Sequence, residues 1–410
     1  MSDAFRKAIA NKLPKIPATR APWAEDDEDH DELEELEEEE GDDLSELHAA
    51  LPPPSKYGST DLTPLSASAF FAQALEVTPA SSSITFRVYL TPPKVVDEKD
   101  KETYLICHHG AGASGLSFAA LAKYITSISG GELGILSFDC RGHGKTKAID
   151  SSETDLCLHT LQNDLIGLIE HVFPNPKESP SLLLMGHSMG AAPILSSAPL
   201  LQKKGYTIPG VIVLDVVEGT AIEALPLMKS ILAQRPDSFR SVIDAIHWHL
   251  SSNTLRDTEA ARVSVPSTII PDPEDSGGGA NTPGGRQVWR TDLLATEPYW
   301  EEWYKGLSRR FLEAKCARML VLAGQERLDK ELMVGQMQGK FQLEVMPDTG
   351  HYLHEDNPSS LASTIVQFWR RNTRVLVLPP KIGQPGVPGM GISVRPNSNN
   401  NNVVKRVGEE

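Results

Sequence analysis

The sequence predicts an α/β domain, a mostly parallel central sheet covered by helices on both faces, with a helical cap inserted between late strands. Three observations carry that expectation. From about residue 84 to 371, apolar runs of strand length alternate with amphipathic stretches of helix length. The central runs, such as Leu182-Leu183-Leu184-Met185 and Val211-Ile212-Val213-Leu214, are apolar throughout, as strands buried on both faces are. The first of them ends in Gly186-His187-Ser188-Met189-Gly190 and runs on into small, helix-compatible residues, so it reads as strand, tight turn and helix.

Taken in order, residues 1–57 are punctuated by proline, then acidic, then proline-rich again at Leu51-Pro52-Pro53-Pro54, a composition that cannot bury enough apolar surface to order itself. The domain is expected over 58–373, its ordered chain starting near Pro64 and Ile84 to Leu90 forming its first strand. A strand at 103–108 leads into the glycine-rich turn His109-Gly110-Ala111-Gly112-Ala113-Ser114-Gly115 and a helix at 116–128. A strand at 134–139 precedes Arg141-Gly142-His143-Gly144 and a helix near 155–172, whose apolar residues recur at 158, 161, 165, 168, 169 and 172. After the Gly-x-Ser-x-Gly unit come a helix to about Lys203 and a strand at 211–214 closed by Asp215. Residues 216–317 are the excursion read as the cap, within which 266–286 is rich in Pro, Gly, Ser and Asp and is expected to be a mobile loop. A strand at 318–323, a helix at 330–338, a strand at 341–346 and a helix at 358–371 complete the pattern, and 374–410 reads as a disordered tail.

Composition excludes several classes of function. The net charge of -16 comes from one tract, Glu25 to Glu46, where 16 of 22 residues are acidic and none is Lys or Arg; elsewhere the acids equal the 39 bases. A solvated tail explains that balance, and no basic stripe offers itself to nucleic acid. The four cysteines, at 107, 140, 157 and 316, have neither disulfide-framework nor zinc spacing, which suggests a reducing compartment. No apolar run approaches the roughly 18 residues that span a bilayer, and the first twenty residues lack the apolar core of a secretion signal, so a cytoplasmic or nuclear protein is expected.

The chemistry centres on Ser188. A serine at the tip of a strand-to-helix turn sits in a strained backbone conformation, and a Cβ two positions to either side would strike the neighbouring chain, hence Gly186 and Gly190. The hydroxyl is lifted clear of the sheet, and the Met189 N–H at the start of the helix points at whatever Ser188 attacks. A serine nucleophile needs a base and an acid to orient it, in the chain order Ser, Asp or Glu, His. His351, in a loop after the last strand, is the candidate base; His354 reads as a polar residue at a helix start. Two acids compete, Asp215 and Asp329, each following a strand. A second oxyanion donor is expected from the Ala111 N–H. Gly110, Gly112 and Gly115 followed by Asp139 allow a dinucleotide cradle as a weaker reading. His143 reads as a turn brace, and His159, His171, His247 and His249 as surface or packing residues. The aromatic cluster Trp289, Tyr299, Trp300, Trp303, Tyr304 and Phe311 reads as cap core, with one or two members facing substrate.

From about Pro64 to Arg371 the chain resembles the protein phosphatase methylesterases. Asp215-Val216-Val217-Glu218-Gly219-Thr220, Tyr299-Trp300-Glu301-Glu302-Trp303, Gly335-Gln336-Met337-Gln338-Gly339-Lys340 and Gly350-His351-Tyr352-Leu353-His354-Glu355-Asp356 carry the resemblance. It implies an α/β-hydrolase fold, a catalytic Ser188, Asp215 and His351, no metal or organic cofactor, and removal of the methyl ester from the C-terminal leucine of the type 2A protein phosphatase catalytic subunit. It also implies that these residues align only when the phosphatase docks. The loop His109-Gly110-Ala111-Gly112-Ala113 departs from the more usual His-Gly-Gly-Gly-His, which matters only if residue 111 needs a positive φ. A small-molecule carboxylesterase or a non-catalytic phosphatase-binding regulator are the alternatives.

Overall fold

The computed structural model describes residues 61–80, 82–94, 101–148, 154–273, 285–324 and 328–373. The expectations for the acidic tract, for the N-terminal tail and for 374–410 lie outside the described residues.

Nine strands form the main sheet. Eight lie in the spatial order β1 (Gln73–Val77), β2 (Ile84–Thr91), β4 (Leu133–Phe138), β3 (Thr103–His108), β6 (Ser181–His187), β7 (Gly210–Leu214), β11 (Ala317–Ala323) and β12 (Gln342–Met346), while β5 (Lys147–Ala148) pairs with β2. From β4 to β12 every pairing is parallel, and β1 and β2 form an antiparallel edge. All residues of β3, β4, β6 and β7 are buried, which accounts for their unbroken apolar runs. Helices α1 (Ala119–Ser129) and α11 (Pro358–Thr373) contribute to the apolar core on one face, and α2 (Leu158–Val172) and α3 (Ala191–Lys203) to that on the other. In α2 the buried stripe Leu161, Leu165, Leu168 and Ile169 includes Asp164, which takes the Arg141 guanidinium through Nε at 2.6 Å and Nη2 at 2.7 Å. That two-pronged pair ties the turn after β4 to the helix beside it.

Because the strands run parallel, the loops after β3, β6, β7 and β12 all leave from one edge of the sheet. They bring residues 110–112, 188, 215 and 351 together from distant parts of the chain.

The cap is not wholly helical. Alongside α4 (Glu218–Ala233), α5 (Val242–Ser251), α6 (Thr258–Ser264), α7 (Trp300–Tyr304) and α8 (Leu307–Glu313) it holds a small antiparallel sheet, β8 (Ser238–Phe239), β10 (Gln287–Trp289) and β9 (Ile269–Pro271). The stretch 266–271, expected as the start of a loop, instead closes a 3-10 turn and forms β9, since Ile269 packs with Phe239, Ile246 and Val265 in a core of the cap's own. Residues 274–284 lie outside the described set.

Candidate active site

Backbone sterics build the centre of the site. Ser188 has φ of 50°, a left-handed conformation that a residue with a side chain holds only where its surroundings enforce it. A Cβ on Gly186 would stand 2.3 Å from the Gly190 carbonyl oxygen, and one on Gly190 would stand 2.3 Å from that of His108. Both glycines are thus required by close approach of neighbouring backbone.

Asp215, fully buried, also has a positive φ, 49°. Its backbone N–H donates to Val321, its Oδ1 accepts from Ala323 N–H at 2.7 Å, and its Oδ2 lies 2.8 Å from His351 Nδ1. Asp329 is occupied otherwise: Oδ1 caps α9 (Lys330–Met337) by accepting from Leu332 N–H, and Oδ2 accepts from the Ser308 hydroxyl. Of the two acids only Asp215 meets the histidine. Among the described residues no hydrogen bond joins Ser188 to His351. The phenol of Tyr304 faces Ser188 instead; burial raises its pKa, and the serine hydroxyl partly offsets that rise.

Beneath these groups lies a layer of buried histidines. His187 Nε2 donates to the His351 carbonyl at 2.9 Å, fixing the loop that carries His351. Burial holds its pKa down at about 3, so it is neutral near pH 7. His354 stands at a helix start, second in Leu353–Asp356, but it has no solvent exposure and packs between the rings of Phe118 and His187, at 4.7 and 4.5 Å. Next to it His109 donates from Nδ1 to Gly110 and accepts the Cys140 N–H at Nε2. His143 accepts the Gly112 N–H at 3.0 Å and donates from Nδ1 to the Arg141 carbonyl, bracing the glycine-rich loop as its sequence context suggested. Within that loop Gly112 has φ of 74° while Ala111 is not among the positive-φ residues, so the alanine is accommodated without strain. Asp139 accepts from Gly115 N–H, Lys145 N–H and the Tyr89 hydroxyl, and burial lifts its pKa to about 6. These bonds leave it no role as a ribose ligand.

The site opens into a cavity of 420 Å³ bounded by both the sheet edge and the cap. Ser188, Asp215 and His351 meet residues 110–114 there. Four of the six aromatic residues read as cap core, Trp289, Trp300, Trp303 and Tyr304, line it. His249, expected at the surface or in packing, also lines it, with Nδ1 donating to Ala245 in α5.

The family model described as the alpha/beta hydrolase family matches residues 105–364. A protein phosphatase methylesterase 1 of Cryptococcus neoformans is 59% identical over 431 aligned positions, covering 100% of both chains. The proteins of the same name in Aspergillus fumigatus, 40% identical over 93% of this chain and 92% of the relative, and in Schizosaccharomyces pombe, 42% over 77% and 87%, extend the relationship. The chain belongs to the protein phosphatase methylesterase family. Among solved structures the fold matches an E-2-(acetamidomethylene)succinate hydrolase with a TM-score of 0.54 at 18% identity, over 72% of this chain and 98% of that one. It also matches the peroxisomal hydrolase Lpx1 of Saccharomyces cerevisiae with a TM-score of 0.54 at 12% identity, over 78% and 92%. Family and fold make the protein a carboxylic ester hydrolase of the serine esterase type.

For a methylesterase, the groups missed in the sequence are those whose role depends on burial. His187 was visible only as the variable residue of Gly-x-Ser-x-Gly, and nothing local signals that it holds the His351 loop. Arg235, at the end of α4, was not singled out at all, although it lines the cavity. No helix among the described residues is long and apolar enough to cross a membrane.

Proposed function

We propose that Ser188, His351 and Asp215 form a catalytic triad that demethylates the C-terminal leucine methyl ester of the type 2A protein phosphatase catalytic subunit. His351 Nε2 takes the proton of Ser188 as Oγ attacks the ester carbonyl, and Asp215 fixes the imidazole tautomer and stabilises its cation. The N–H groups of Met189 and Ala111 receive the developing oxyanion. Methanol departs with the proton returned by His351, and water, activated by the same histidine, hydrolyses the acyl-enzyme to free carboxylate and serine.

The observation that carries this reading is the 2.8 Å bond from His351 to the buried Asp215, made beside a serine strained to positive φ on the cavity floor. The missing Ser188–His351 bond is compatible with it. Such bonds are often loose before substrate binds. The substrate is carried over from the curated relatives' name and the family's chemistry. Its test is the release of methyl groups from intact methylated phosphatase by wild type and Ser188→Ala. Faster turnover of a short-chain aryl ester than of the phosphatase tail would favour a small-molecule carboxylesterase, and demethylation by Ser188→Ala at the wild-type rate would overturn the triad.

A further inference from the structure

Among the described residues, the one Lys or Arg in the cavity wall has no counter-ion. Arg235 is the only Lys or Arg among the lining residues. Its guanidinium carbon stands 3.5 Å over the ring centroid of Trp289, and among the described residues its side chain makes neither hydrogen bond nor ion pair. The support beneath it is rigid. The Trp289 indole N–H donates to the Pro236 carbonyl at 2.7 Å, and the ring meets Phe239, Trp248 and His249 edge-on at 5.2, 5.9 and 5.7 Å.

The two carboxyl groups lining the same cavity do not answer it. Asp215 is committed to His351 and Ala323. Glu355 is buried, and desolvation raises its pKa well above the ordinary value, which disfavours its charged form. The guanidinium itself is half-buried, and desolvation lowers its pKa, with only the Tyr352 phenol acting against that. A guanidinium laid flat on an indole keeps its hydrogen-bonding edge free, and that fork matches a carboxylate in two-pronged geometry. Its rotamer is already fixed by stacking, so little side-chain entropy remains to be lost when an anion arrives.

We propose that Arg235, seated on Trp289, is a carboxylate-binding residue of the cavity, holding an acidic group of the bound peptide. The carboxylate has two possible sources, an acidic side chain upstream of the esterified residue or the free C-terminal carboxylate that hydrolysis leaves. This rests on the reading of the cavity as the site of a peptide-borne ester.

Direct binding tests it without relying on turnover. Titration calorimetry on the full-length protein measures Kd for N-acetylated hexapeptides ending in leucine carboxamide. One arm walks a single Glu, against Gln, through the five positions before leucine; the other compares a free C-terminal carboxylate with the carboxamide in a peptide lacking acids. Hydrogen bonds to a charged group contribute about 1.5–3 kcal/mol, so the acid form should bind roughly ten- to a hundredfold tighter in one arm. The arm that shows it names the source. Arg235→Gln should bring that ratio to about one, and Arg235→Lys, which keeps charge but loses fork and stack, should bring it at least several-fold down. Circular dichroism melts check that both variants are folded, and the lysine variant suffices if the glutamine one is not. A ratio near one in every wild-type pairing overturns the proposal, as does a preference that survives either substitution intact. Failure of the demethylation assay alone would remove the phosphatase substrate and leave these ratios standing.

Discussion

The sheet edge and the cap close one cavity but are specified by different means. At the edge, backbone does the work. Glycines with no room for a Cβ, positive φ at Ser188 and Asp215 and strand-end hydrogen bonds place each group, so short local motifs encode it. In the cap, side chains do the work: Trp289 on β10, Arg235 after α4, Trp248 on α5 and Tyr304 on α7 converge from four separate elements. A position defined by backbone tolerates almost no substitution. One defined by packing fails by degrees.

The largest effect should come from Ser188→Ala. By analogy with other serine hydrolases, kcat should fall by roughly a million-fold, with melting temperature nearly unchanged, read from burst-free ester hydrolysis and calorimetry. Asp215→Asn should lower kcat by about ten-thousand-fold through the wrong His351 tautomer. Asp329→Asn, whose amide oxygen can still cap α9, should change stability by less than about 1 kcal/mol and kcat by less than about tenfold. Reversed magnitudes would show that the acid is the later one.

Gly190→Ala separates the two regions on stability. Its Cβ would meet backbone at 2.3 Å, with no side chain able to yield, so destabilisation of about 3 kcal/mol or more is expected from urea midpoints. Acid should likewise weaken the edge. His108 and His143 have pKa values lowered to about 4 and His187 to about 3, and His109 and His354 lie well below the ordinary range, all chiefly through burial. The unfolded chain therefore binds protons that the folded one does not, once pH drops below about 6.5. Stability is full above that value and declines as pH falls toward 4, by up to about 1.4 kcal/mol per pH unit for each such group. A urea midpoint that stays flat from pH 7 to 4.5 would contradict this. The smallest effect belongs to Tyr304→Phe in the cap, which removes the phenol facing Ser188 and should alter aryl-ester kcat by less than about tenfold.

The same division explains what was legible in the sequence. The runs expected at 103–108, 211–214 and 318–323 match β3, β7 and β11 to within a residue, because strands buried on both faces announce themselves by unbroken apolarity. The residues proposed as the triad were readable from their strand-end positions, but the choice between Asp215 and Asp329 was not, because each follows an apolar strand. Only the family resemblance favoured Asp215 before the geometry did. The small cap sheet escaped notice because strands of two and three residues joined across the chain, as Gln287 is to Phe239 and Pro271, carry no periodicity. The helix start at His354 was legible, but its burial was not, because nothing in a histidine beside Glu355 and Asp356 signals that the short helix is pressed against Phe118.

The order of β7, β11 and β12 in the sheet has a consequence for synthesis. The cap is inserted between β7 and β11, so a chain emerging from the ribosome displays Ser188 and Asp215 more than a hundred residues before His351. β12 pairs with β11 alone of the strands, so the histidine loop is seated only after the cap has been made and the last two strands have joined. Until then the nascent chain holds Ser188 without its proposed base. Translation that stops between β7 and β11 yields a fragment without the proposed base His351 and with the β7 edge unpaired, a target for proteolysis.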